Sequence, residues 1–440
     1  MGSVRRELAR ESGRPVSKAQ RTPFNDPPGS RNRRKLDTPG GFDSEEPTLN
    51  ETALGASARS PRVGRSSQFP RNIELIMPGS NKPSNHIPAL DGWRGVAILL
   101  VLLDHSTEGV HFGRIDHFFR VGATGVGLFF ALSGFLITTR LLEERERYGK
   151  VRLDKFYTRR VCRLIPASLT YLIVIGILTL AGVLTVTREQ WFASLLFFRN
   201  YIPMDLPSGG WFTAHFWSLA VEEHFYLIWP ALLILTRGRA VVPAAIATVV
   251  AAWRYTDLHY HVVHATLWFP GRTDVRFDGL LWGCVLAILL LRPRFKQVMS
   301  RFYPWWLWLA CLGIYLVSNL LSGRHNYSPY EPALIALIMI WPVLHTENWL
   351  SKLLELPFLK WVGHLSYSLY VWQQLWLVFP DAPTPFGAFQ RLPLNIFCIF
   401  ATASLSYYFI EKPMVNLGHR LTRAHRVAPR EYASEAVPQS

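Results

Sequence analysis

Arg94 and His105 are the residues whose placement first points to chemistry. Both fall in the apolar run Leu90-Asp91-Gly92-Trp93-Arg94-Gly95-Val96-Ala97-Ile98-Leu99-Leu100-Val101-Leu102-Leu103-Asp104-His105. Eleven residues at about 100° each make three turns plus about 20°, so on a helix both side chains point the same way, roughly 16 Å apart along the axis. Ionisable groups inside an apolar span are costly and are functional candidates. Singly, Arg94 reads as a side chain snorkelling to the bilayer surface and His105 as a helix end; on one face they read as a functional pair. Imidazole is suited to act as a general base or as a nucleophile. Guanidinium forks suit phosphate oxygens. Asp104 adjoins His105, but neighbours on a helix do not face each other, so it makes no dyad. Three other sets share this character: Arg160 with Arg163 in a basic stretch, Glu222 with Glu223 one turn inside a later apolar segment, and Arg276 with Asp278 at the end of another. Glu222 is expected to face the bundle, pairing with an arginine or orienting His105, with a purely structural ion pair as the alternative.

The elements that must hold these residues are membrane helices. Hydrophobic residues make up 49% of the 440 and charged residues 18%, against about 25% charged in a soluble protein. Residues 1–86 are polar and rich in Pro, Gly, Ser and Arg, and cannot bury enough surface to offset ordering entropy; they read as a disordered basic arm. From Ile87 onward about ten segments approach the roughly 20 residues of a bilayer crossing: 88–107, 119–142, 164–186, 211–236, 239–256, 275–291, 304–322, 329–346, 363–380 and 391–411. The stretch 191–204 is interrupted by Arg199, Asn200 and Pro203 and reads as an interfacial or re-entrant piece. The expected fold is therefore all-α: a polytopic helical bundle over 87–415, preceded by the arm and followed by a tail over 416–440.

The net charge of +16 fits positive-inside topology better than nucleic-acid binding, because the cations lie between apolar runs rather than in one stripe. The loop after the second segment holds Arg145, Arg147, Lys150, Arg152, Lys155, Arg159, Arg160 and Arg163, and most of the 47 Lys and Arg fall on that side. This places both termini in the cytoplasm of a multi-pass membrane protein. The arm's cations then face anionic lipid or a partner protein. Cys162, Cys284, Cys311 and Cys398 lack metal-ligand spacing and read as small hydrophobes; no metal and no bound cofactor is expected.

Arg94 followed by ten residues and His105 resembles the signature of the membrane-bound acyltransferase-3 family. The likeness continues in order through Gly122-Ala123-Thr124-Gly125-Val126-Gly127-Leu128-Phe129-Phe130-Ala131-Leu132-Ser133-Gly134-Phe135, Phe156-Tyr157-Thr158-Arg159-Arg160-Val161-Cys162-Arg163, Trp217-Ser218-Leu219-Ala220-Val221-Glu222-Glu223-His224-Phe225, Arg276-Phe277-Asp278-Gly279 and Phe409-Ile410-Glu411-Lys412-Pro413. The resemblance implies transfer of an acyl group, acetyl in the first place, from acyl-CoA as co-substrate to a hydroxyl of a sugar, glycan, secondary metabolite or related acceptor. On that reading His105 is the catalytic base or the covalent acyl carrier, two routes the sequence leaves open. Arg94 positions the donor, Glu222 assists, Arg160 and Arg163 contact the donor, and Asp278 and Arg276 support the site. Gln373 stands where similar proteins often carry His, and the hydrolase-like extension many of them bear is not evident here.

Two patterns are set aside. His111-Phe112-Gly113-Arg114-Ile115-Asp116 matches the H-x-x-x-x-D pattern of glycerolipid acyltransferases without the motifs that accompany it. His259, His261 and His264 lie in an outer loop without the carboxylate or thiol spacing that specifies a metal. The rival reading from another class is a transporter or flippase of a lipid-linked sugar or solute, for which an internal inverted repeat would speak; the two halves show none.

Overall fold

The computed structural model describes residues 87–107, 121–203, 210–260, 262–263, 271–322, 328–378 and 384–423. The expected arm over 1–86, the His111–Asp116 pattern, His261, His264 and the tail beyond residue 423 lie outside the described residues. No strand occurs among the described residues. In chain order the helices are α1 (Pro88–Thr107), α2 (Gly122–Tyr148), α3 (Leu153–Leu180), α4 (Arg188–Leu195), α5 (Trp211–Ala214), α6 (Phe216–Leu235), α7 (Val241–Tyr260), α8 (Thr273–Arg276), α9 (Asp278–Leu290), α10 (Pro293–Phe302), α11 (Trp305–Ser322), α12 (Glu331–Leu344), α13 (Trp349–Leu354), α14 (Pro357–Trp376), α15 (Leu394–Ser406) and α16 (Lys412–Arg423). A π-helical turn, Tyr407–Glu411, joins the last two.

Each of the apolar segments read from the sequence overlaps one or two helices. Four helical runs are long and apolar enough to cross a membrane: Gly122–Tyr148, Leu153–Leu180, Trp211–Leu235 and Leu394–Thr422. The pair α10–α11, bent by 80°, makes a fifth if taken as one span. Others fall short for visible reasons. Asp91, Arg94 and Asp104 interrupt α1, and α9 has 13 residues, about 20 Å of helix. The stretch 191–204 forms the end of the 8-residue α4 and a 3₁₀ turn at Arg199–Tyr201, too short to cross. There Arg199 is buried and donates to Thr213 and to the carbonyls of Ile202, Pro203 and Gly210.

One expectation is corrected. Arg160 and Arg163 are helical residues of α3, which starts at Leu153 rather than near 164, and Arg145 and Arg147 lie in the last turn of α2. Apolarity marks where bilayer begins; it does not mark where a helix begins, and the basic residues of 153–163 are good helix formers. The true break is short: Gly149 closes α2 in the left-handed conformation at φ 72°, which glycine adopts without steric cost.

The site depends on two close helix crossings. α1 packs on α14 and on α2, and α2 packs on α9. At Gly363 of α14 an added Cβ would stand 2.0 Å from the Asp91 carbonyl oxygen of α1, and at Gly134 of α2 it would stand 1.9 Å from the Leu280 carbonyl oxygen of α9. Small residues here let backbones touch, the usual means of helix association in lipid. Trp93 secures α1 on another side by donating from Nε1 to the Met339 carbonyl of α12 at 3.0 Å.

Candidate active site

The side chains of α1, α2, α3, α6 and α14 converge on a cavity of about 60 Å³. Arg94, Ser133, Arg160, Arg163, Glu222, Tyr226 and Tyr370 supply its polar lining, and Val126, Phe129, Phe130, Leu164 and Leu219 its apolar walls. Four of the residues singled out in the sequence, Arg94, Arg160, Arg163 and Glu222, are thus brought together from three helices. Glu222 is held by two hydroxyls: Ser133 donates to Oε1 at 3.2 Å and Tyr226 donates to Oε2 at 2.5 Å. Tyr226 follows Glu222 by four residues, one helical turn, and its ring receives the Arg160 guanidinium at 4.9 Å from the centroid. Arg160 is close enough to Glu222 for direct charge interaction. Glu222 thus lies among the arginines of this cavity, hydrogen-bonded to Ser133 and Tyr226, and His105 is not among the cavity's lining residues.

Toward the end of the bundle where α1 begins, Arg160 and Arg163 also line a second cavity of about 70 Å³. Arg140, Arg159, Glu144 and His419 complete its polar wall. Glu144 is already occupied by Arg152 at 2.8 Å and Arg159 at 3.7 Å. The remaining charge of this mouth is strongly positive, which suits a ligand with several phosphate oxygens. Glu411 approaches from the π-helical turn. It is buried, accepts from Ser368 Oγ at 2.8 Å, and interacts electrostatically with Arg163 and Arg94. Single π turns inside helices often mark functional positions.

His105 is at the other end of α1 and is not part of the cavity lined by Arg94. Its Nδ1–H donates to Gln373 Oε1 of α14 at 3.2 Å, and its ring meets Trp211 edge to face at 5.4 Å. The donation from Nδ1 leaves Nε2 as the nitrogen with the lone pair. Gln374, the next residue, accepts from the His215 backbone N–H at 3.0 Å and from its Nδ1 at 2.5 Å. Two adjacent glutamines of α14 thus each hold one histidine. Tyr370, which lines the Arg94 cavity, donates to the His215 carbonyl at 3.1 Å, linking that cavity to the histidine end.

Asp278 and Arg276 line a third cavity, of about 50 Å³, with Trp217, Arg254 and Glu331. It is built from the first turns of α2, α6, α9 and α12 and the last turns of α7, so it lies at the end where α1 finishes. The ion-pair partner of Asp278 is Arg254, whose Nη1 donates to both carboxylate oxygens at 2.7 and 2.8 Å. Arg272 closes the adjoining wall by bridging Asp257 at 2.9 Å and Asp274 at 2.7 Å. Those hydrogen bonds, that to Asp274 first, hold the Arg272 guanidinium above its ordinary pKa.

The sequence reading missed Arg140, Ser133, Tyr226, Arg254, Gln373 and Glu411 as site residues. Tyr226 carried a local signal in its one-turn spacing from Glu222, and Ser133, Gln373 and Glu411 fall in or at stretches that carry the resemblance, without a role read for them. Arg140 and Arg254 join the site only through contacts between helices distant in the chain.

The family model described as an acyltransferase domain matches residues 87–411. Among similar proteins, the peptidoglycan O-acetyltransferase OatA of Listeria monocytogenes is 29% identical over 362 residues, covering 75% of this chain and 56% of that protein. A putative O-acetyltransferase of Staphylococcus aureus is 28% identical, covering 76% and 58%. A putative peptidoglycan O-acetyltransferase of Bacillus subtilis is 29% identical, covering 76% and 56%. The chain therefore spans under three fifths of the length of these relatives. No solved structure matches. With its helical region matched from Ile87 to Glu411 and the Arg94–His105 motif inside it, the chain belongs to the acyltransferase-3 family.

Proposed function

We propose that this chain is a membrane O-acyltransferase that takes an acyl group, acetyl in the first place, from acyl-CoA and delivers it to a hydroxyl of a glycan or similar acceptor. The observation that carries the reading is the convergence of Arg94, Arg160, Arg163 and Glu222 on one cavity whose mouth adds Arg140 and Arg159. Fixed guanidinium groups recognise phosphate oxygens by paired hydrogen bonds, and CoA presents several. The names of the relatives support an O-acetyl product and a glycan acceptor.

The segments of the whole helical region serve as about ten crossings, and the Lys- and Arg-rich end, where α1 begins, faces the cytoplasm together with both termini. The arginine mouth then opens toward the cytoplasmic pool of donor. The far-end cavity with Glu331, Asp278 and Arg276 faces the acceptor. Arg94 and His105 stand roughly 16 Å apart along α1, a separation suited to a donor whose phosphates stay at the arginines while its thioester arm runs inward. His105 is the catalytic residue. With Nδ1–H committed to Gln373, Nε2 takes the acceptor proton as general base or attacks the thioester carbonyl itself. As general base, the imidazole takes the hydroxyl proton while the C–O bond forms and the C–S bond breaks, and passes that proton to the departing thiolate. As nucleophile, Nε2 forms a C–N bond while the C–S bond breaks and the thiolate leaves; the acceptor oxygen then forms the C–O bond as the C–N bond breaks, and the hydroxyl proton released then neutralises the freed thiolate. Glu222, steadied by Ser133 and Tyr226, keeps Arg160 aligned.

The test is transfer of label from radiolabelled acetyl-CoA in membranes, comparing the wild type with His105→Ala at equal expression. Incorporation by the wild type and its loss in the variant support the reading. Equal incorporation removes His105 from the chemistry. No incorporation by either, with longer acyl donors also tried, returns the transporter reading.

A further inference from the structure

The inner cavity and the arginine mouth share one wall, made by Arg160 and Arg163 of α3. Beyond that wall the mouth adds Arg140 of α2, Arg159 of α3 and His419 of α16. Arg140 lies close enough to Arg160, Arg163 and Arg159 for mutual repulsion, which Glu143 offsets in part. Glu144, the carboxylate in the lining, is committed to Arg152 at 2.8 Å and reaches Arg159 only at 3.7 Å. Among the described residues neither Arg140 nor Arg163 forms an ion pair. Like charges gathered around one space repel, and an anion of more than one charge relieves them. A phosphate monoester carries about −1.5 to −2 at pH 7 and three acceptor oxygens. The rest of the wall, Ile137, Leu141 and Val415, is apolar, a surface on which a nucleobase can lie. Arg140 and His419 are exposed, so a charged group reaches this space from water.

Acyl-CoA carries its phosphates in two places: a diphosphate in the middle and a monoester on the ribose 3′ position. The thioester arm leaves from the diphosphate, so the covalent order fixes how the donor can lie. With its thioester at His105, the arm runs along α1 past Arg94 and the diphosphate rests on Arg160 and Arg163. The ribose is then outermost, at Arg140 and Arg159. Resting on the acyl-transfer reading, we infer that Arg140 and Arg159 recognise the ribose 3′-phosphate and make this protein select acyl-CoA over thioester donors that lack it. The two guanidinium groups come from different helices, so they grip the monoester from two directions, each able to offer a paired hydrogen bond. A phospholipid headgroup presents similar oxygens, but its binding does not depend on which donor is supplied.

The experiment measures initial transfer rates from acetyl-CoA and from acetyl-3′-dephospho-CoA over a range of donor concentrations, in membranes holding the full chain, for wild type, Arg140→Gln and Arg159→Gln. The expected wild-type KM is about tenfold or more higher for the dephospho donor, the equivalent of losing one charge-assisted hydrogen bond or more. Each variant should raise the KM for acetyl-CoA about tenfold and leave that for the dephospho donor within about twofold. The preference between donors then shrinks toward one. If Arg140→Gln does not accumulate in the membrane, Arg159→Gln decides by the same ratio. A wild type that uses both donors with equal KM overturns the assignment and leaves acyl transfer intact. Variants that raise the KM for both donors alike overturn it as well, and give the two arginines to the diphosphate or to a lipid headgroup. A wild type that transfers from neither donor overturns the acyltransferase reading, and the 3′-phosphate site with it.

Discussion

Gln373→Leu isolates the contribution of one hydrogen bond to the chemistry proposed for His105. Gln373 is fully buried, and its Oε1 accepts the His105 Nδ1–H at 3.2 Å. Leucine keeps the volume close and removes the acceptor. The imidazole then has a part-buried N–H without a partner, at a cost of about 1–3 kcal/mol, and it lowers that cost by turning or by moving its proton to Nε2. Either escape withdraws the lone pair the reaction needs. At about 1.4 kcal/mol per decade the loss in kcat is roughly 5- to 150-fold. The KM for acyl-CoA should stay near that of the wild type, because Gln373 is absent from the lining of the arginine cavities. Gln373→Glu keeps an oxygen in the same place and should recover much of the rate. The assay is label transfer from radiolabelled acetyl-CoA over a range of donor concentrations at equal expression. A Gln373→Leu enzyme with kcat within twofold of wild type, beside an inactive His105→Ala, would refute the idea that Gln373 sets the tautomer. So would a loss carried by KM alone.

Other expectations follow from the same contacts. Arg160→Lys and Arg163→Lys keep the charge but lose the planar fork, and each should raise the KM for acyl-CoA about tenfold, the equivalent of roughly 1.4 kcal/mol, read from the same saturation curves. Tyr226→Phe removes the hydroxyl that donates to Glu222 Oε2, costing about 1–3 kcal/mol; the midpoint of thermal unfolding in detergent should fall and activity with it. Arg254→Met strands the buried Asp278 carboxylate without its cation, at about 3–5 kcal/mol, and should sharply reduce the folded protein recovered from membranes. Asp278→Asn combined with it should restore part of that yield. Gly363→Val drives a side chain into the Asp91 carbonyl and should separate α1 from α14, abolishing activity even where the protein still accumulates.

The positions of the helices were largely legible because an apolar run announces itself residue by residue. The first segment, read as 88–107, is the observed α1 (Pro88–Thr107). The start of α3 was missed by about one and a half heptads, since Leu153–Arg163 is helical but basic and hydropathy is blind to it. Of the candidate site, Arg94 and Glu222 were readable as charges out of place, and their shared cavity agrees with that logic. The partners were not readable. Arg254 meets Asp278, Gln373 meets His105 and Glu411 nears Arg163 across separations in the chain that only helix packing closes. Arg276 and Asp278, two residues apart, read only as supporting residues, and the ion pair that Asp278 makes with Arg254 of α7 has no sign in the local sequence.

The glycine crossings have a mechanical consequence. Where Gly363 faces the Asp91 carbonyl and Gly134 faces the Leu280 carbonyl, main chain already rests on main chain, with no flexible side chains between to compress. α14, α1, α2 and α9 thereby form a stiff frame, able to slide slightly but unable to close further. In such a frame, room for rearrangement is left to individual side chains between fixed rods and to the helices outside it.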